Sequence, residues 1–240
     1  MPAMAEVSSD IAVRLRSLEF AWPGRTEFSL SVPDFSIPRG EKLFLLGASG
    51  SGKSTLLSLI CGITVPNKGT VEVDGTALSN LSGPERDRFR ADHIGVIFQM
   101  FNLLPYATPL ENILLPLSFA GERRRRLEDP KAEALRLTGA LGLETELISS
   151  ARAAELSIGQ QQRVAAARAL IGAPALIVAD EPTSALDAGS QSAFLDLLMD
   201  QAEAAGATLL MVSHDERLAA RFDRVEDLSR IAVAERRLRA

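Results

Sequence analysis

Residues 47–55, GASGSGKST, have the types and spacing to hold a phosphate: they satisfy G-x-x-x-x-G-K-[ST] and follow directly on an apolar run at 43–46. Glycines let backbone N–H groups turn inward around an anion, Lys53 adds a point charge at the β- and γ-phosphates, and the Ser54 hydroxyl can ligate Mg²⁺. Gly47, Ala48, Ser49, Gly50, Ser51, Gly52, Lys53, Ser54 and Thr55 are therefore the candidate nucleotide contacts. The segment that follows, STLLSLICGI, reads as a helix whose positive N-terminal end faces the same phosphates. A flexible Gly/Ser linker would not stand between an apolar strand and an apolar helix. A second element, ALIVADE, delivers Asp180 and Glu181 at the C-terminal end of an apolar strand, the edge at which open α/β sheets bind ligands. In register with a phosphate loop, Asp180 can support Mg²⁺ and its waters. The adjacent Glu181 can orient and deprotonate an attacking water.

These groups need a scaffold, and the hydrophobic pattern outlines it. Alternation at Val13, Leu15 and Phe20, followed by FSLSV and FSI, predicts short antiparallel strands before the phosphate loop. A strand at 70–73, a turn at Asp74-Gly75, a polar helix around 84–90 and a strand at 94–98 come next. From 100 to 156 the character changes to helical spacing, with Ala132, Leu135, Leu137 and Leu141 as a candidate apolar face. Helix and strand then alternate: a helix at 159–171, a strand ending at Ala179, a helix at 190–205 and the strand TLLMVS at 208–213. Such alternation implies a mainly parallel sheet covered by helices. The expected organisation is one domain over 1–240, with a nucleotide-binding core from 12–99 and 157–230 and a helical subdomain, 100–156, inserted into it.

Composition narrows the class. With 240 residues, 24% charged, and a net charge of −5, the chain has no global basic footprint, so nucleic acid is not an expected partner. No apolar run approaches the roughly 18 residues that a membrane span requires, and MPAMAEVSSD lacks the basic and apolar regions of a signal peptide. A cytoplasmic location is expected. The first ten residues read as frayed, with Met4 an alternative start. The single cysteine, Cys61, reads as a packed core thiol, His93 as structural or exposed, and the run 123–126 of four arginines as solvated charge.

From Leu156 the chain reads LSIGQQQRVAAARAL, which resembles the signature motif of ATP-binding cassette (ABC) ATPases, usually LSGGQ, and the helix that follows it. Ile158 replaces the common glycine at the third position. Ser157, Gly159 and Gln160 match, and the resemblance implies that their hydroxyl and N–H groups meet a γ-phosphate. Gln99, after the strand IGVIF, resembles the family's Q-loop glutamine, a contact for Mg²⁺ or water. His214 resembles its switch histidine, and SALD at 184–187 its partner-contacting D-loop. Of Phe20 and Trp22, Trp22 is the better match for the aromatic on which adenine stacks. The motifs run in family order from about residue 12 to 230. The resemblance implies a P-loop NTPase of the ABC type: a mainly parallel sheet core, an N-terminal antiparallel β subdomain and the inserted helices. It also implies ATP and Mg²⁺ as cofactors, Ser54, Gln99 and Asp180 as metal contacts, and Glu181, His214, Lys53 and Gln99 as catalytic groups. Two nucleotides would be buried in a head-to-tail homodimer, since signature and phosphate loop serve opposite sides of a composite site.

FNLLPYATPLENILLPLSFAG resembles subunits that serve lipoprotein-releasing and macrolide-exporting permeases. A peripheral subunit on the cytoplasmic face, driving a separate membrane permease, is therefore expected. The alternative is a cassette ATPase acting on a soluble or nucleic-acid complex. Chromosome-maintenance heads carry long coiled coils between phosphate loop and signature, and the interval here has no heptad pattern. Translation-type proteins usually join two cassettes, and one is present.

Overall fold

The computed structural model describes residues 10–22 and 26–238; the expectations for the first nine residues, Met4 among them, lie outside that range. Two five-stranded sheets organise the chain. The elements in order are β1 (Ile11–Trp22), β2 (Thr26–Pro38), β3 (Lys42–Leu46), α1 (Lys53–Ile60), β4 (Lys68–Val73), β5 (Thr76–Ala77), α2 (Gly83–His93) and β6 (Ile94–Ile97). Then follow α3 (Pro109–Leu114), α4 (Gly121–Arg125), α5 (Pro130–Ala140), α6 (Thr145–Ser150), α7 (Ile158–Leu170), β7 (Leu176–Asp180), α8 (Ala188–Ala204), β8 (Thr208–Ser213), β9 (Arg224–Asp227), α9 (Leu228–Ile231) and β10 (Val233–Leu238).

The parallel sheet, in the order β6-β7-β8-β3-β9, carries the chemistry at its C-terminal edge. Its strands read as unbroken apolar runs because both faces are covered. Side chains alternate across them: Phe44, Ile177, Ala179, Leu209 and Met211 face a core shared with α7, α8 and the 109–150 helices, whereas Leu43, Leu45, Leu176, Val178, Leu210 and Val212 face α1 and the antiparallel sheet. This two-sided burial fixes the height at which β3, β7 and β8 end.

The second sheet, β10-β2-β1-β4-β5, is antiparallel throughout. The expected short strands are instead two long ones, β1 of 12 residues and β2 of 13. The alternation of β1 breaks at 16–18 without ending the strand, because a bulge at Ser17, with φ of 46°, shifts the register with β4 and lets pairing continue. Gly69 packs against this bulge so closely that a Cβ there would overlap the carbonyl oxygens of Arg16 and Ser17. Pro33 is tolerated within β2 because it sits beyond Ser31, where β10 stops pairing with that strand. The edge strand β10 lies past the residue-230 limit expected for the core. The Asp74-Gly75 turn forms as read, both residues at positive φ (50° and 77°) between paired Val73 and Thr76.

Two further expectations are corrected by packing. The buried face of α5 is Ala134, Leu137 and Thr138, continuing to Leu141, while Ala132 is exposed and Leu135 half-buried. Asp129 caps this helix through the Lys131 and Ala132 N–H groups, while packing against α3 and α7 turns Ala134, Leu137 and Leu141 into the core. Arg123 is not a solvated charge: only 2% exposed, it donates to the carbonyls of Ile171, Ala169 and Ala91. Burial and then the Arg126 charge lower its pKa to about 10. A cation at the C-terminal carbonyls of α7 is favoured by that helix's dipole. His93 is structural, stacked on Phe89 at 4.3 Å and 2.7 Å from the Asp74 carboxylate, which Arg39 also contacts. Cys61 is buried, and desolvation pushes its thiol up to about 12, so it is inert core. No helix among the described residues is long and apolar enough to cross a membrane.

Candidate functional site

A cavity of about 750 Å³ opens at the C-terminal edge of the parallel sheet. Its walls bring together Trp22, Ser49, Gly50, Gly52, Lys53, Ser54, Thr55, Gln99, Asp180, Glu181 and His214, from segments up to 192 residues apart in the chain, along with Phe28. The loop between β3 and α1 turns through Gly50 and Gly52, at φ 77° and 105°, conformations closed to most side chains. At Gly52 a Cβ would stand 2.9 Å from the Phe28 ring, so the glycine also sets how near the loop lies to β2. Lys53 is 7% exposed, and its ammonium donates to the Gly47 and Ala48 carbonyls at 2.5 and 3.0 Å. Those two residues hold the lysine and do not line the cavity. Ser51 closes the loop through its N–H to the Ala48 carbonyl, and its hydroxyl is buried with no hydrogen-bond partner among the described residues.

The carboxylates take distinct positions. Asp180 Oδ2 accepts from the Ser54 hydroxyl at 3.1 Å, so two oxygens face the cavity side by side. Burial raises the Asp180 pKa, the Ser54 bond opposes this, the Glu181 charge raises it further and Lys53 lowers it. Glu181 follows β7 with φ of 48°, a left-handed conformation uncommon for a residue with a side chain. That turn sends its two oxygens different ways: Oε2 lies 2.5 Å from His214 Nδ1, and Oε1 lies 3.8 Å from Lys53 Nζ. His214 stands just beyond β8.

Trp22, 42% exposed at the end of β1, meets Phe20 edge-on at 5.0 Å and donates its indole N–H to Thr55 Oγ1 at 3.2 Å. Phe20, only 7% exposed, belongs to the core. The sequence reading missed Phe28, which pairs with Trp22 across β1 and β2. Its signal was the alternation Phe28, Leu30, Val32, which places all three on one side of the strand. If adenine stacks here, Trp22→Ala weakens ATP binding about tenfold, within the range of one base–aromatic stack, while Trp22→Phe keeps most of it. Calorimetric titration measures both. Since Trp22 is the sole tryptophan, its fluorescence in the native chain should also change as ATP is added. An unaltered Kd for Trp22→Ala would move adenine elsewhere.

Ser157, Gly159 and Gln160 are not brought to this cavity. They form the first turn of α7, where Ser157 Oγ accepts from the Gln160 N–H and the Gln160 side chain accepts from the Ser157 N–H, a reciprocal cap. Ile158 is 54% exposed beside them, its side chain directed away from the core. Asp187 caps α8 without the reciprocal bond, accepting from the N–H and hydroxyl of Ser190.

Comparison with known proteins adds a lineage to this geometry. Residues 30–184 match the family model described as ABC transporter. The chain is 43% identical over 194 residues to an ABC transporter ATP-binding protein of Mycobacterium tuberculosis, covering 81% of this chain and 76% of that one. It is 42% identical over 219 residues to the lipoprotein-releasing system ATP-binding protein LolD of Novosphingobium aromaticivorans, covering 90% and 96%. Among solved structures, the dimeric structure of a bacterial ABC transporter cassette superposes with a TM-score of 0.78 at 35% identity, covering 90% of this chain and 93% of that chain. A post-hydrolysis dimer of the same cassette, bound to ADP and phosphate, gives 0.74.

Proposed function

The chain belongs to the ABC transporter family as an ATP-binding cassette, and we propose that it works as one half of an ATP-sandwich homodimer docked on a membrane permease. It is an ATP-hydrolysing transporter subunit that powers a separate permease. The observation that carries the dimer reading is a separation: Lys53, Asp180, Glu181 and His214 share one cavity, whereas Ser157 caps a helix outside it. A second copy, turned head to tail, supplies that serine to this cavity and receives the same in return.

Phosphoryl transfer asks for positioning and charge compensation more than for covalent help. Lys53 offers its buried ammonium to the β- and γ-phosphates, exchanging the neutral carbonyls of Gly47 and Ala48 for charged oxygens. Ser54 and Asp180, with Gln99 nearby, would hold Mg²⁺; their adjacent oxygens suit a hard cation that keeps several waters. When bound, that ion neutralises charge on the β- and γ-oxygens. Glu181 takes the proton of the attacking water at a carboxylate oxygen, and His214 fixes the other oxygen.

The permease side is assigned to a second cavity of about 700 Å³, lined by Ile63, Ile94, Phe98, Asn102, Pro116 and Phe119 among others. Phe98 and Asn102 flank the Gln99 loop, and Phe119 is 70% exposed. A cytoplasmic apolar segment of the permease filling this groove would feel the nucleotide through Gln99. On this reading the cassette sits peripherally on the cytoplasmic face. The likeness to LolD supports a transporter that exports or pulls on extracytoplasmic cargo. The test is to tag the Glu181→Gln chain, purify it from native membranes in mild detergent with ATP, and identify its companions by mass spectrometry. A stoichiometric integral membrane protein with few spans and a large extracytoplasmic domain is expected, and Phe119→Asp should release it. Recovery of only soluble or DNA-associated partners would overturn the transport reading and leave the ATPase chemistry standing.

A further inference from the structure

Glu181 has an unusual conformation, and something must hold it. Its own N–H is fixed to the Val212 carbonyl at 2.9 Å, on the β8 side. On the other side the chain enters the loop at 182–187, and the Pro182 carbonyl accepts from Nε2 of Gln162 at 2.8 Å. Gln162 is wholly buried on α7, five residues after Ser157. A carbonyl only accepts, so this contact fixes the amide's orientation and leaves Oε1 facing inward, with no hydrogen-bond partner among the described residues. A side chain chosen for packing alone at such a position would be apolar, because a buried acceptor without a donor is disfavoured. Gln191, also buried, grips the next part of the loop through the carbonyls of Thr183 and Leu186, both at 3.1 Å.

We infer that Gln162 is a positioning residue for the hydrolytic reaction: by holding the carbonyl after Glu181, it keeps that residue in its left-handed turn and its carboxylate aimed into the nucleotide cavity. The amide is buried and does not line the nucleotide cavity, so it acts through Glu181. It also ties the base of one composite site to the helix whose first turn serves the other. The inference rests on the reading of Glu181 as the base.

The experiment is a double-mutant cycle on ATP turnover by the full chain. Gln162→Met, similar in size but without an N–H to donate, should lower kcat about tenfold, the scale of one lost hydrogen bond in the transition state. The KM for ATP should stay unchanged. In the Glu181→Gln background the same change should cost nothing further, because the group it positions is already gone. An equal loss in both backgrounds, or no loss in the native one, overturns the inference. If Glu181→Gln itself keeps near-native turnover, the reading of the base has failed instead. Gln162→Glu gives an independent measure should the methionine variant not fold. Its buried carboxyl, raised by desolvation, donates to Pro182 only while protonated. Turnover relative to the native chain should therefore fall about tenfold between pH 6 and pH 9, and a flat ratio would equally count against the role.

Discussion

Glu181→Gln should bind ATP as the native chain does, accumulate as a dimer with two nucleotides enclosed, and hydrolyse them at least about a hundredfold more slowly. The amide preserves the size of the side chain and its reach to His214, 2.5 Å away. What it lacks is a basic oxygen to take the proton of the water. Lys53, Ser54 and Asp180 are untouched, so the groups proposed to hold the phosphates and the metal remain. Binding and hydrolysis therefore part company in a single substitution. Turnover is read from released phosphate and dimerisation from gel filtration with and without ATP. Near-native turnover would mean that the carboxylate at this turn does not act as the base, and His214 would become the group to test.

Much of this site was legible because its parts are encoded locally. A glycine-rich turn between an apolar strand and a helix has few other uses, and the apolar runs ending at Leu46, Ala179 and Val212 announced strands buried on both faces. Their shared edge follows from parallel pairing, which aligns Leu46 with Ser213 and Asp180 with Val212. What escaped the sequence depends on contacts between distant segments. Phe28 joins the cavity only because antiparallel pairing of β1 with β2 sets it opposite Trp22. Arg123 looked like one more arginine in a charged run, and only the carbonyls ending α7, some 48 residues away, make it a buried anchor. The α5 face was displaced because packing against α3 and α7, which no local pattern displays, turns Ala134, Leu137 and Leu141 inward. The left-handed turn at Glu181 left no mark of its own, since no glycine stands there.

The separation of Ser157 from the cavity makes a stronger demand, and mixing two inactive chains can meet it. On the proposed dimer, Ser157→Ala removes the hydroxyl that would meet the partner's γ-phosphate and should cost about a hundredfold, the lower end for losing a donor to developing charge. It also removes the cap that accepts from Gln160, worth about 1 kcal/mol, so the variant should melt slightly earlier but fold. Glu181→Gln is inactive for a different reason, on the opposite side of the composite site. In a heterodimer of the two, both lesions fall on one site: the cavity carrying the Glu181→Gln change faces the partner's defective signature. The other site has an intact Glu181 and an intact Ser157. With random pairing half of all dimers are mixed, and half of their sites are whole, so an equal mixture should recover roughly a quarter of native turnover. A site built within one chain predicts only the mean of two residual rates. The two outcomes differ by more than about tenfold, so phosphate release from the mixture decides whether hydrolysis belongs to the chain or to the pair.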